Sequence, residues 1–150
     1  MLELIPIQQT LAENQELAGN PDCLEILTMT IDHYRIIGFV PPWIGYFAQQ
    51  NGEIVGSAGY KGQPVDNKIE IAYWTSPNYR KQGIGTEICG QMVLLAHQAD
   101  ASVMITARTL PEGIASNRIL EKNGFKLLGT IWDKDDGEVW EWQWEDTSKG

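Results

Sequence analysis

"IEIAYWTSPNYRKQGIGTE", residues 69–87, is the stretch on which the reading of this chain turns. Its first six residues alternate and are rich in β-branched and aromatic side chains, the pattern of a strand. Its end opens a helix, because Ile84, Ile88, Met92 and Leu95 keep helical spacing. Between the two, Arg80 and Lys81 precede Gly83 and Gly85, in a chain of formal net charge -9. A strand, a short loop and a helix with glycine in its first turn form an anion cradle. The first N–H groups of a helix lack intrahelical partners and lie at the positive end of its dipole. Without a Cβ at 83 and 85, a phosphate can approach the N–H groups of Gln82, Gly83, Ile84, Gly85 and Thr86. No Gly-Lys-Ser/Thr follows, as a nucleoside-triphosphate loop requires, and Gly90 falls too late for Gly-x-Gly-x-x-Gly. On local physics alone, a tight turn with solvated cations reads equally well.

Outward from this stretch the chain punctuates itself clearly. Leu2 to Ile7 reads as a strand, and Thr10 to Leu17 as weakly helical. Asn20 caps a firmer helix with Pro21 at its first position, a buried stripe of Leu24, Leu27, Ile31 and Tyr34, and a stop at Gly38. "WIGYFAQQ" and "EIVGSAGY" are strands joined by the hairpin signal Asn51-Gly52, and "KIEIAYW" completes a meander. After the glycine-opened helix come a buried strand, "SVMITARTL", and a helix, "PEGIASNRILEKNG", stopped by Gly124. "FKLLGTIW" and "EVWEWQW" form a last hairpin across Asp136-Gly137. The expected fold is mixed α/β (α+β), in the order β-α-α-β-β-β-α-β-α-β-β.

At 150 residues one domain is expected over 1–150, with 146–150 frayed. Cys23 and Cys89 have no ligand-like spacing, which speaks against a disulfide framework or a zinc site. No signal peptide opens the chain, and the apolar stretch Ile36 to Ala48, within its longest uncharged run, contains Pro41-Pro42 and is too short for a bilayer. The expectation is a cytoplasmic protein without membrane or nucleic-acid partners, since the acidic balance opposes a general nucleic-acid binder.

Arg80-Lys81-Gln82-Gly83-Ile84-Gly85 resembles Arg/Gln-x-x-Gly-x-Gly/Ala, the acyl-CoA pyrophosphate motif of the GNAT superfamily of N-acetyltransferases. "ASNRILEKNGF" is similar to the superfamily's second motif, especially in its ribosomal-protein N-acetyltransferase-like branch. The resemblance spans about residues 69 to 125 and implies a mixed central sheet of about seven strands. It implies that the amides of Gln82 to Thr86 hold the pyrophosphate, with Arg80 and Lys81 close to the phosphates. Ile69 to Trp74 would splay from Val103 to Thr109, and the free backbone of Ile71, Ala72, Tyr73 and Trp74 would meet the pantetheine arm. Ser116 would lie beside the pantetheine or thioester end. Two positions depart from the pattern: Gly113 stands where many members carry Asn, and Leu120 where many carry Tyr as a possible acid for the thiolate.

The implied activity is acetyl transfer from acetyl-CoA to a primary amine by direct attack in a ternary complex, without metal. The alternative, kept open by Gly113 and Leu120, is a non-catalytic CoA-binding module for sensing or assembly. A lysine-type amine with pKa ~10.4 costs roughly 4.6 kcal/mol to deprotonate at pH 7, and an α-amine near ~8 about 1.4 kcal/mol. A proton acceptor is therefore expected. Glu70, on the strand beside the cofactor, is the candidate; the plainer reading makes it a partner of Lys61 or Lys68. Arg118 and Lys122 share a helix face and suit a 3′-phosphate as well as solvent. Arg108, His33 and His97 read as ordinary surface groups, and Trp140, Trp142 and Trp144 as core or interface. Trp43 and Tyr46 suit either the core or an acceptor pocket. The acceptor, a small-molecule or peptide amine, and homodimer formation stay open.

Overall fold

The computed structural model describes residues 2–80, 82–111 and 114–145. Lys81, Gly113 and the expected frayed tail, 146–150, lie outside the described residues. The elements are β1 (Leu2–Pro6), α1 (Gln15–Ala18), α2 (Pro21–Ile37), β2 (Gly45–Gln50), β3 (Glu53–Tyr60), β4 (Lys68–Thr75), α3 (Ile84–Ala99), β5 (Met104–Thr109), α4 (Ile114–Lys122), β6 (Phe125–Asp133) and β7 (Gly137–Trp144). Their order is the one the sequence predicts. One sheet of seven strands runs β1-β2-β3-β4-β5-β7-β6. Every neighbouring pair is antiparallel except β4 and β5.

Local chemistry accounts for the element ends. Asn51 and Gly52 both take positive φ, 52° and 81°, as a two-residue type I′ hairpin demands. The Asn20 side chain accepts the Asp22 N–H at 3.0 Å, capping α2 ahead of Pro21. Inside α2 the buried stripe is Cys23, Leu27, Ile31 and Tyr34, whereas Leu24 is 41% exposed. Cys23 takes the inward place expected of Leu24, because it lies one full turn, four residues, before Leu27. Leu27 is wholly buried, so Leu27→Ala should cost about 2–5 kcal/mol. Tyr34 pins the helix to the sheet: its hydroxyl donates to the Ile7 carbonyl at 2.8 Å and accepts the Gly45 N–H at 2.9 Å.

Two layers of helix flank the sheet. α3 buries Ile84, Ile88, Met92 and Ala96 against β3 and β4, and the Tyr60 hydroxyl donates to the Met92 carbonyl at 2.7 Å. α2 lies on the opposite face, where Thr30 and Tyr34 meet Gly45 of β2. Trp142, on β7, is core, its indole N–H donating to Thr109 Oγ1 at 3.0 Å; Trp140 and Trp144 pack partly buried against the same core.

The feature that positions a site is the parallel pair. The β4–β5 ladder runs from Lys68–Met104 to Ile71–Ala107 and ends there, while β4 continues to Thr75. On its other side β4 stays paired with β3 through Thr75. Ala72 to Thr75 therefore have no strand partner on the β5 side, and this opening is the splay expected of the pair.

Candidate active site

The opening leads into a cleft of about 760 Å³ between the end of β4, the start of α3 and one face of α4. Gly83 caps α3 in the left-handed region, φ +79°, where a side chain is strained, and a Cβ there would meet nothing within 4 Å. The N–H groups that begin α3 face this open ground. Gly85 is needed for a different reason. A Cβ on it would stand 2.7 Å from Ile119 Cδ1 and 3.2 Å from Thr75 Oγ1, so its bareness admits α4. Gly90 does the same one turn and a half later, leaving room for Asn123 Oδ1. The Asn123 amide donates to the Thr86 and Ile119 carbonyls at 3.1 and 2.9 Å, tying the end of α4 to the first turn of α3.

The charge of this cleft is one-sided. Arg80, Arg118 and Lys122 line it, and among the described residues no Asp or Glu does. Arg80 is steadied by its own Nε–H, which donates to the Thr75 carbonyl at 3.2 Å. Arg118 and Lys122, one turn apart on α4, line the cleft at its solvent-exposed rim. Ser116 lies on the far wall, where its carbonyl accepts the Tyr73 hydroxyl at 3.5 Å. Three cations, a free helix N-terminus and an unpaired strand edge suit a long, polyanionic ligand with amide groups in its arm.

Behind β4, on the α2 side, lies a second cavity of about 600 Å³. Its floor exists because three paired positions across β2, β3 and β4 are small: Gly45, Gly59 and Ala72. Asp22, Glu25, Met29 and His33, spaced by three or four residues, form the α2 side. Tyr73 and Trp74 are the two described residues that line both cavities. A polar groove continues past Trp74, lined by Glu16, Asp22, Glu25 and Glu53 and, among the described residues, by no Lys or Arg.

Glu70 shares the α2-side face of β4 with Ala72 and Trp74, both of which line the second cavity. Its Oε2 pairs with Lys61, itself a lining residue, at 2.5 Å, and its Oε1 with Arg108 at 3.4 Å. Arg108 also holds Asp133 at 2.9 Å and Glu141 at 3.9 Å, so its charge is spent inside the sheet. Backbone N–H groups of Asp135 and Asp136, then Arg108, hold the Asp133 carboxyl below its ordinary value.

The remaining expectations fall into place by position. Ile71 and Ile84 are buried, so at the site they offer backbone alone, whereas Ala72, Trp74 and Gln82 are exposed and Thr86 is half-buried. Leu120 is fully buried and offers no proton donor. Tyr46 lines the second cavity, and Trp43 instead packs edge-on to Tyr60. His97 meets the Trp144 ring edge-on at 5.1 Å. The α2 wall and the small-residue floor escape sequence reasoning, because they depend on strand register and on the facing helix. Cys23 and Cys89 are free and buried, and burial pushes the Cys89 thiol up to about 12. Among the described residues no group of three or more His, Cys, Asp or Glu could hold a metal, and no helix is long and apolar enough to cross a membrane.

Comparison with known proteins bears directly on this geometry. The family model described as "Acetyltransferase (GNAT) domain" matches residues 15–126. An uncharacterized N-acetyltransferase of Bacillus subtilis (strain 168), YjdG, is 35% identical over 80 residues, 53% of this chain and 48% of the relative; the match thus spans about half of that protein's length. Aminoglycoside acetyltransferase AAC(6′)-Ib, solved with coenzyme A, superposes with a TM-score of 0.70 at 19% identity, covering 99% of this chain and 96% of the other. RimL, a ribosomal L7/L12 alpha-N-protein acetyltransferase solved with coenzyme A, gives 0.67 at 16% identity, covering 95% and 92%. A chimera of the Vibrio cholerae spermidine N-acetyltransferase SpeG gives 0.70 at 10%, covering 98% and 96%. At these identities the structures speak for the fold. With its two motifs, its splayed parallel pair and a family match across most of its length, the chain belongs to the GNAT acetyltransferase family.

Proposed function

We propose that this chain transfers an acetyl group from acetyl-CoA to a primary amine by direct attack in a ternary complex. The observation that carries this reading is the meeting of two unlike cavities at Tyr73 and Trp74. The cationic one fits the phosphates and pantetheine of CoA. The α-amide groups of Gln82 to Thr86 would hold the pyrophosphate, Arg80 and Lys81 would flank it, and Arg118 with Lys122 would take the 3′-phosphate. The free backbone of Ala72 to Trp74 would pair with the pantetheine amides. When bound, the thioester supplies a carbonyl already activated for attack.

The acceptor approaches through the cavity under α2. Carboxylates of Glu16, Asp22, Glu25 and Glu53 along its continuation favour a cationic small molecule or a basic peptide end. Glu70, on the same strand face, takes the amine proton directly or through water, with Lys61 and Arg108 fixing its carboxylate. The test is acetyl-CoA-dependent thiol release measured against a panel of polyamines, aminoglycosides, amino acids and peptide α-amines. Release stimulated by at least one amine supports transfer. Acetyl-CoA binding without any stimulated release would replace this reading with that of a non-catalytic CoA-binding module.

A further inference from the structure

The five tyrosines of this chain differ in how tightly their hydroxyls are held. Tyr34 donates to the Ile7 carbonyl at 2.8 Å, and Tyr46 and Tyr60 donate to the Pro42 and Met92 carbonyls, each at 2.7 Å. Tyr79 is bound to the Glu53 carboxylate. Tyr73 stands apart, since its hydroxyl reaches the Ser116 carbonyl only at 3.5 Å, the outer limit of a hydrogen bond. That carbonyl lies within α4, whose own ladder uses it from four residues on, so it loses little if the phenol turns away.

Position adds to this. Tyr73 lies two residues beyond Ile71, the last rung of the β4–β5 ladder, near the start of the splay. Its side chain spans from β4 to α4 across the cationic cleft, and Tyr73 also borders the cavity under α2. Trp74, the other residue common to both, is its immediate neighbour on the strand and so points to the opposite face. Tyr73 is therefore the one tyrosine shared by the two cavities, and its hydroxyl is the least committed of the five.

We infer that the Tyr73 hydroxyl is a hydrogen-bond donor to the sulfur of the departing thiolate, and that it keeps its own proton throughout. The inference rests on the acetyl-transfer reading. In the step it serves, the amine nitrogen forms a bond to the carbonyl carbon, and the carbon–sulfur bond breaks with its electron pair passing to sulfur. The amine proton goes to Glu70 or water. Tyr73 changes only the partner of its O–H, from the Ser116 carbonyl to the sulfur. Burial, with a lesser push from Cys89, drives the phenol far above its ordinary value, so it stays protonated beside a thiolate. A donor that does not ionise suits this step, because a thiolate with pKa near ~8.5 leaves without a full proton transfer.

The test is Tyr73→Phe, which keeps the ring and removes the donor. The acetyl-CoA affinity measured by calorimetry should stay within about twofold, while kcat with the best amine falls roughly 10- to 100-fold. A second readout needs no turnover: the bound CoA thiol, followed by thiolate absorbance across a pH titration. Its ionisation constant should be roughly tenfold larger on the parent protein than on the variant. Arg80, Arg118, Lys122 and Cys89 also act on that thiol, but they are common to both proteins and cancel in the comparison. An unchanged kcat and an unchanged thiol titration in an active protein would overturn the inference and leave acetyl transfer standing. Equal losses of affinity and kcat would also overturn it, making Tyr73 a structural tie between β4 and α4. A parent protein inactive with every amine refutes the transfer reading instead.

Discussion

Glu70→Gln separates a proton acceptor from a structural ion-pair partner, and the structure sets what each should cost. The substitution preserves size and an acceptor oxygen but removes the charge. Lys61, its 2.5 Å partner, has a side chain 53% exposed, so that pair contributes about 1 kcal/mol at most. Arg108 is not stranded, because Asp133 at 2.9 Å and Glu141 at 3.9 Å remain beside it. The expected loss is about 1 kcal/mol, which lowers the melting temperature by roughly 2–4 °C in a domain of this size. Turnover should respond on another scale. General-base catalysis is typically worth about 10²–10⁴-fold, so kcat should drop at least ~100-fold. Acetyl-CoA affinity should hold, since the cationic cleft does not include Glu70. Each unit rise in pH below the amine's pKa supplies about ten times more neutral amine, so the deficit should shrink as pH rises. Steady-state kinetics of both proteins from pH 6.5 to 9.5 (roughly the span over which common amines begin to deprotonate), with calorimetry for acetyl-CoA, measure all of this. Turnover within a few-fold of the parent and a parallel pH profile would refute Glu70 as the base. It would then be an anchor for Lys61 and Arg108.

Four further outcomes can be measured. Gly85→Val should destabilise the fold by about 1–3 kcal/mol in thermal melts, through Ile119 and Thr75, before any ligand is added. Gly83→Val meets open space and so should cost mainly the strain of its positive φ, about 1–2 kcal/mol, while lowering acetyl-CoA affinity at least roughly tenfold by calorimetry. Asp133, held below its ordinary 3.8, contributes stability that is present above that value and lost as pH falls through its lower folded value. Asp133→Asn keeps an acceptor for the Asp135 and Asp136 N–H groups and should flatten the fall of melting temperature between about pH 5 and 3. Dialysis against a chelator should leave amine-stimulated thiol release intact, and a loss restored by zinc would overturn the direct-attack mechanism.

The sequence by itself determined every element whose cause is local. Asn20-Pro21 and Gly38 bound α2, Asn51-Gly52 makes the first hairpin, and the apolar spacing from Ile84 sets α3. The proposed phosphate-binding loop was legible as well, because an anion cradle is a contiguous pattern of strand, glycine and helix N-terminus. Tertiary structure decided what depends on register and on facing surfaces. That Gly85 makes room for Ile119 is a fact about α4, invisible at position 85. Gly45, Gly59 and Ala72 become one floor only after three strands are aligned, since a slip of one residue would turn each to the other face. Leu24 and Cys23 exchange places for the same reason, because helical spacing fixes a stripe only to within a residue until a partner face selects it. The commitments of charged and hydroxyl groups, Glu70 between Lys61 and Arg108 and Tyr73 loosely set against Ser116, join residues far apart in the chain. Such contacts are properties of the packed state, where distance in space replaces distance along the sequence.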